Sequence, residues 1–456
     1  MVTEGETGDV YYSMKSTVTY SNPTGGGKTW YFTEDDRTIG LFMNNSWQRV
    51  ELKNATYSLD DVKNDEDGNK IGLLELPKHR LLPGENLSVT TEYEIVARPR
   101  SIPDISENVS GVLDEIPNYL VQAYTNAEGP WALHDPRLEN LAHEIAGNET
   151  KVLTIVQESI VWIKENIVYG THEIPLYANQ TLSTGIGDCD DQAILLIALL
   201  RIVGIPSYLQ IGAIYMPEYP EVHQDQWDNH VRIIERKLGW HGWAIAYVPP
   251  WGWLPIDLTF VRRGFRDPLN AIRYGAVTEQ NTVQYMNISR ADYIADSDEA
   301  KSFLTENGFL VYVEDEMTQV SRNEGIIGFN PAVNAIIAVA VILVAFFAVF
   351  LIIRLPRKRP EKQKPLTEKP AGRLSFILYF SLSLAACTSR GYQADFLPGW
   401  CMSADCGDFS GASMATAVRV DCCDHRHASW ARIPVAFGVH QMVSWTSFKK
   451  WFVNSP

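Results

Sequence analysis

Cys189 is the residue whose surroundings point most directly to chemistry. It is the only cysteine before Cys387, and it lies in residues 187–193, GDCDDQA, at the head of an apolar run. A secreted domain braced by disulfides holds its cysteines in pairs. A lone thiol at a helix start reads as a nucleophile, because the thiolate is the reactive species and a helix N-terminus favours it. The run that follows, AILLIALLRIVGIP, reads as one buried helix closed by Gly204 and Pro206. Asp188 then becomes its N-cap and Cys189 falls in its first turn. A buried structural cysteine fits the same position.

A cysteine nucleophile needs a base, commonly a histidine that a third group orients. About fifty residues on, 240–260 reads WHGWAIAYVPPWGWLPIDLTF. Residues 244–248 form an expected strand, 249–252 a turn and 253–258 a second strand. His241 heads the first strand and Asp257 ends the second, so an antiparallel pairing brings them side by side. The spacing suits Cys189, His241 and Asp257 as nucleophile, base and orienter. His230, in WDNHVRIIER, is the rival base; residues 231–234 after it alternate as an edge strand would. His223, Asp225, Asp228 and His230 lack a zinc-type spacing and read as a solvated loop.

At these motifs the chain resembles the transglutaminase-like superfamily. The cysteine motif G-x-C-x-D-x-A matches Gly187, Cys189, Asp191 and Ala193, followed by the Gly204–Ile205–Pro206 turn. H-x-W matches His241 and Trp243, and G-W-x-P-x-D-x-T matches Gly252, Trp253, Pro255, Asp257 and Thr259. The resemblance covers about residues 130–275 and includes an upstream helix, TIVQESIVWIKENIVYG. It implies an α+β fold that is a circularly permuted relative of papain. It also implies acyl transfer through a thioester, by hydrolysis or transamidation, with no metal or organic cofactor. Asp188, Asp190 and Asp191 oppose this chemistry, since carboxylates raise a thiol pKa. A protonated His241 in contact outweighs them only if some of the aspartates bond backbone instead of facing the sulfur.

Further elements must hold these residues in place. Residues 10–100 alternate in β fashion between the turn clusters SNPTGGG and NDEDGN, which suggests an N-terminal β-sandwich over 1–105. Neither cluster has the spacing of a phosphate loop or a calcium loop. The expected catalytic domain runs over 106–310, with flanking helices near 266–274 and 290–306 and a strand FLVYV at 309–313 finishing the ectodomain. A juxtamembrane linker over 311–330 and a transmembrane helix over 331–354 complete the expected order.

Residues 332–353 are apolar except for Asn334, and as a helix they span about 33 Å, enough for a bilayer core. Arg354, Arg357, Lys358, Arg359, Lys362 and Lys364 follow, which places the C-terminal side in the cytoplasm and everything before Pro331 outside. Glycosylation sequons agree: Asn44, Asn54, Asn86, Asn108, Asn148, Asn179 and Asn287 all precede the span. Residues 1–330 hold 25 Lys+Arg against 48 Asp+Glu, and the remainder 14 against 7. So acidic an outer domain argues against nucleic acid as a partner. The start at Met1 shows no apolar leader, so the true start, with a signal peptide, is expected upstream. The tail over 355–456 holds five of the six cysteines and, beyond its basic start, receives no function.

The residues thus favour a membrane-anchored surface thiol enzyme acting on amide bonds of peptides or proteins. Its alternative is a non-catalytic adhesion or assembly scaffold on the same fold.

Overall fold

The structure, a computed structural model, describes residues 8–25 and 27–321. Val10–Ser21 lies in the middle of a six-stranded sheet, between Asn86–Ala97 and Leu310–Val320. Gln48–Ala55 closes one edge, and Val231–Arg236 and then Val222–Gln226 extend the other. The Val231–Arg236 pairing with Leu310–Val320 is parallel and the rest are antiparallel. Period-two alternation turns Tyr12, Met14, Ser16, Val18 and Tyr20 inward. Met14 consequently stands between Tyr93 and Met317, and Val18 between Val89 and Val313.

A second sheet, antiparallel throughout, runs Gly252–Ile256, Leu238–Val248, Ser207–Tyr215, Thr282–Ile288. An aromatic group joins the two sheets: Phe42 meets Tyr93 at 5.0 Å and Tyr285 at 4.8 Å, and Trp240 meets Tyr285 at 5.4 Å between ring centroids. Trp240 directly precedes His241, so this packing fixes the backbone at the site. Such aromatic pairs add about 0.5–1.5 kcal/mol each beyond their burial.

Helix Cys189–Ile202 packs on Leu238–Val248 and among helices Pro136–Ala146, Val152–Asn166 and Ala178–Thr184. Nearly every one of its residues is buried, as its all-round apolarity requires. It stops where Gly204 takes φ +84°, and the Ile205 N–H then closes back on the Leu200 carbonyl at 2.9 Å. The expected later helices appear as Asn270–Arg273 and Tyr293–Asn307.

The β-rich N-terminal region is present, but it is not a sandwich closed at residue 105. Its main sheet is completed by Val222–Gln226, Val231–Arg236 and Leu310–Val320. The strand expected over 309–313 is present and runs further, as Leu310–Val320 paired with Val10–Ser21, so residues 314–320, expected as linker, belong to it. Asp315 at an inward position and the run of acidic neighbours mask its alternation in the sequence. Val231–Arg236, expected at an edge, has a strand on each side. The span expected at 331–354 and the segment after it lie outside the described residues. Among the described residues, no helix is long and apolar enough to cross a membrane.

Candidate active site

Cys189 opens its helix directly after the N-cap Asp188, as the motif implies. Two glycines let the helix start seat tightly. A Cβ on Gly187 would stand 2.8 Å from the Asp191 Cβ and 2.9 Å from Thr181 Cγ2. A Cβ on Gly242 would stand 3.0 Å from the Asp190 Cβ. Through this close approach the Gly242 N–H donates to the Cys189 sulfur. The backbone one residue past His241 thus touches the thiol.

His241 Nε2 lies 2.9 Å from Asp257 Oδ2, and both side chains are buried. Antiparallel pairing sets this up, with Ala244 opposite Ile256 where the two strands run together. Asp257 also accepts the Thr259 and Phe260 N–H groups on Oδ1 and the Ala276 N–H on Oδ2. Burial alone pushes this carboxyl up, but the His241 ring and these donors outweigh it and hold it below its usual range. A carboxylate can only accept, so Nε2 carries a proton and donates to Asp257. Among the described residues, His241 Nδ1 has no hydrogen-bond partner. The pair thus presents an imidazole with Nε2 held by the Asp257 carboxylate and Nδ1 unpartnered among the described residues.

The thiol end differs from the ion pair that a protonated His241 would give. Cys189 is 2% exposed, and burial first, then Asp188 and Asp190, push its thiol well above the usual value. Asp191 bonds backbone as expected: Oδ1 accepts the Leu176 N–H at 2.6 Å and Oδ2 the Asp188 N–H at 3.2 Å. Its Oδ2 also lies 3.1 Å from His172 Nδ1. Burial, and then Asp190, raise the Asp191 carboxyl to about 8. Asp188 is pushed well above its range, first by burial and then by Asp190, with which it hydrogen-bonds. At neutral pH the resting thiol is a neutral S–H.

His230 does not join the site. Its Nδ1 bonds the Phe309 carbonyl at 2.7 Å, while its own carbonyl receives the Val311 N–H, tying the strand turn to Leu310–Val320. Of the four residues expected in a solvated loop, His223 pairs with Glu221 and Asp225 with Arg232, and both lie on the strand Val222–Gln226. Among the described residues, the one group close enough to share a cation is Asp188, Cys189 and Asp190, within 4.8 Å. The Asp188–Asp190 hydrogen bond already occupies it. Tyr169, His172 and Tyr293 were not singled out in the sequence. Tyr169 belongs to the ribbon Val168–Tyr169 beside Ile186–Gly187, and burial, then Cys189 and the aspartates, keep its phenol protonated. The only sequence signal for it is its place after the upstream helix.

Comparison with known proteins agrees with the motifs. Residues 139–258 match the family model described as the transglutaminase-like superfamily. Among solved structures, the chain is similar to a candidate cysteine protease from Cytophaga hutchinsonii at 13% identity. That match covers 71% of this chain and 95% of the other, with a TM-score of 0.40. It is also similar to a candidate protease from Parabacteroides distasonis at 10% identity, covering 49% and 65%, with a TM-score of 0.16. Scores this low add nothing to the argument. No curated protein matches the chain. The segment 139–258, which holds Cys189, His241 and Asp257, is similar to the transglutaminase-like superfamily.

Proposed function

We propose that this chain is a cysteine-type enzyme acting on amide bonds of peptides or proteins, with Cys189 as nucleophile, His241 as base and Asp257 as orienter. The observation that carries the reading is the buried His241–Asp257 bond, which leaves Nδ1 unpartnered beside a backbone that touches the thiol. Because the resting thiol is neutral, Nδ1 takes its proton as Sγ attacks the amide carbonyl carbon. The C–N bond breaks, the proton passes to the leaving amine, and a thioester remains on Cys189. Water or an amine then attacks the thioester carbon and gives a proton to Nδ1, which returns it to the departing sulfur. Backbone N–H groups at the helix start are the donors offered to the oxyanion.

Anchoring by one helix over 331–354, with the acidic region outside, completes the proposal; its support is the apolar run, the basic cluster and the sequons. Asn54, Asn86, Asn108 and Asn148 are exposed, as glycan acceptors must be. The scaffold reading draws on the buried neutral thiol. Turnover separates the two. The full-length protein is incubated with a peptide-amide mixture, with and without an added amine, and Cys189 is followed by mass spectrometry. Expected are amine release and an acyl adduct on Cys189, both lost in Cys189→Ala and His241→Ala. Release that persists in Cys189→Ala, or none in the native chain, rejects the enzyme reading.

A further inference from the structure

Three donors meet at Asp190. Tyr293, the first residue of helix Tyr293–Asn307, sends its hydroxyl to Asp190 Oδ2 at 2.9 Å inside the core. Asp188 hydrogen-bonds the same carboxyl from the other side. The Cys189 sulfur stands 3.9 Å from Asp190 Oδ1. Tyr293 lies beyond the segment that matches the family model, so it belongs to this chain's own surroundings of the thiol. Its helix is seated by a second bond of opposite sense, from the Tyr177 hydroxyl to the Asp292 carboxylate at 3.0 Å. Gly242 lies against the Asp190 Cβ, so the adjoining strand seats closely on this residue.

We propose that Tyr293 is a positioning residue for Cys189: its hydroxyl occupies one oxygen of Asp190 and so limits how strongly that carboxyl holds the thiol proton. The proposal rests on the reading of Cys189 as nucleophile. Without the hydroxyl, Asp190 keeps only the Asp188 and Cys189 donors and draws harder on both. The other titratable groups around the sulfur are Asp188 and Asp191 of its own helix, Tyr169 of the ribbon and His241 of the adjoining strand, with His172 behind Asp191. None of them changes in Tyr293→Phe.

The test is iodoacetamide labelling of Cys189 in the full-length protein between pH 7 and 9.5, read on the Cys189 peptide by mass spectrometry. Below its pKa a thiol labels in proportion to its thiolate fraction, so the rate reports a shift without reaching the midpoint. Tyr293→Phe should label about tenfold more slowly, the size of one pKa unit. Asp190→Asn should label faster than the native chain. In the Asp190→Asn background, Tyr293→Phe should change the rate by less than about twofold, since the path through Asp190 is gone. An unchanged or faster rate in Tyr293→Phe overturns the proposal, as does an equal slowing in both backgrounds, which marks a merely structural tyrosine. Thermal unfolding of each variant identifies one that has lost its fold, and Tyr293→Trp then serves as an overfilled control. Amide turnover that survives Cys189→Ala would instead reject the functional reading, while the labelling comparison would still stand.

Discussion

Gly275 and Asp257 approach so closely that a Cβ on residue 275 would stand 2.7 Å from the Asp257 Cβ. This contact brings the Ala276 N–H to Oδ2, the same oxygen that holds His241. Gly275→Ala should push that backbone back, lowering stability by about 1–3 kcal/mol through overpacking and turnover by about tenfold. Thermal unfolding and kcat check it; an unchanged kcat shows that the third backbone donor is dispensable.

Asp257 also predicts an acid limit. Its folded pKa is depressed, so its stabilisation is present above the unfolded value of about 4 and disappears as pH falls through the folded one. Asp257→Asn should flatten the loss of stability below about pH 4. It should also reduce turnover by about 10³-fold by removing the orienter. Denaturant midpoints from pH 2 to 6 decide the first point.

Cys189 should behave as a thiol with a raised pKa. In the folded chain its alkylation rate should climb about tenfold per pH unit up to about pH 9, without levelling. In denaturant it should level near the ordinary thiol range of about 8.5. A plateau below pH 8 in the folded protein would contradict the electrostatics of the three aspartates.

A second buried acidic pair should weaken the fold at neutral pH. Glu235 and Asp315 are register partners on parallel strands, and each has one oxygen without a partner. Burial first, opposed by Ser16 and Trp240, sets the Asp315 carboxyl at about 6; Glu235 is raised well above its range by burial and then by Asp315. A raised folded pKa gives stability that is full at low pH and lost as pH rises from the unfolded value of about 4 to the folded one. Asp315→Asn keeps an acceptor for Trp240 Nε1 and should add about 3 kcal/mol at pH 7, but nothing near pH 3. Equal effects at both pH values would show that packing, not charge, is responsible.

Lys237 is exposed and holds φ +59°, a conformation that disfavours any side chain with a Cβ. Lys237→Gly should raise stability by about 0.5–1 kcal/mol, measured as an upward Tm shift, with turnover unchanged. A lower Tm would place the lysine stem in a packing role.

The motif residues were readable because their functions are local. A lone thiol before an apolar run needs only a helix start, and an H-x-W strand followed by W-x-P-x-D needs only a hairpin. Cys189, His241 and Asp257 accordingly stand where spacing put them. The continuation of Leu310–Val320 past residue 313 was harder to read, because it is recognised by the partners it pairs with and carries Asp315 at an inward position.

By itself, the sequence determined the superfamily motifs, the thiol at a helix N-terminus, the histidine–aspartate hairpin and the acidic character of the first 330 residues. Tertiary structure alone decided that the N-terminal strands share a sheet with strands far along the chain. It also decided which acids face the sulfur, and that Tyr293, over a hundred residues from Asp190, reaches its carboxyl. The physical reason is range: helix starts and hairpins follow from neighbours in sequence, whereas burial and the pairing of charges depend on which distant segments exclude water from the same place.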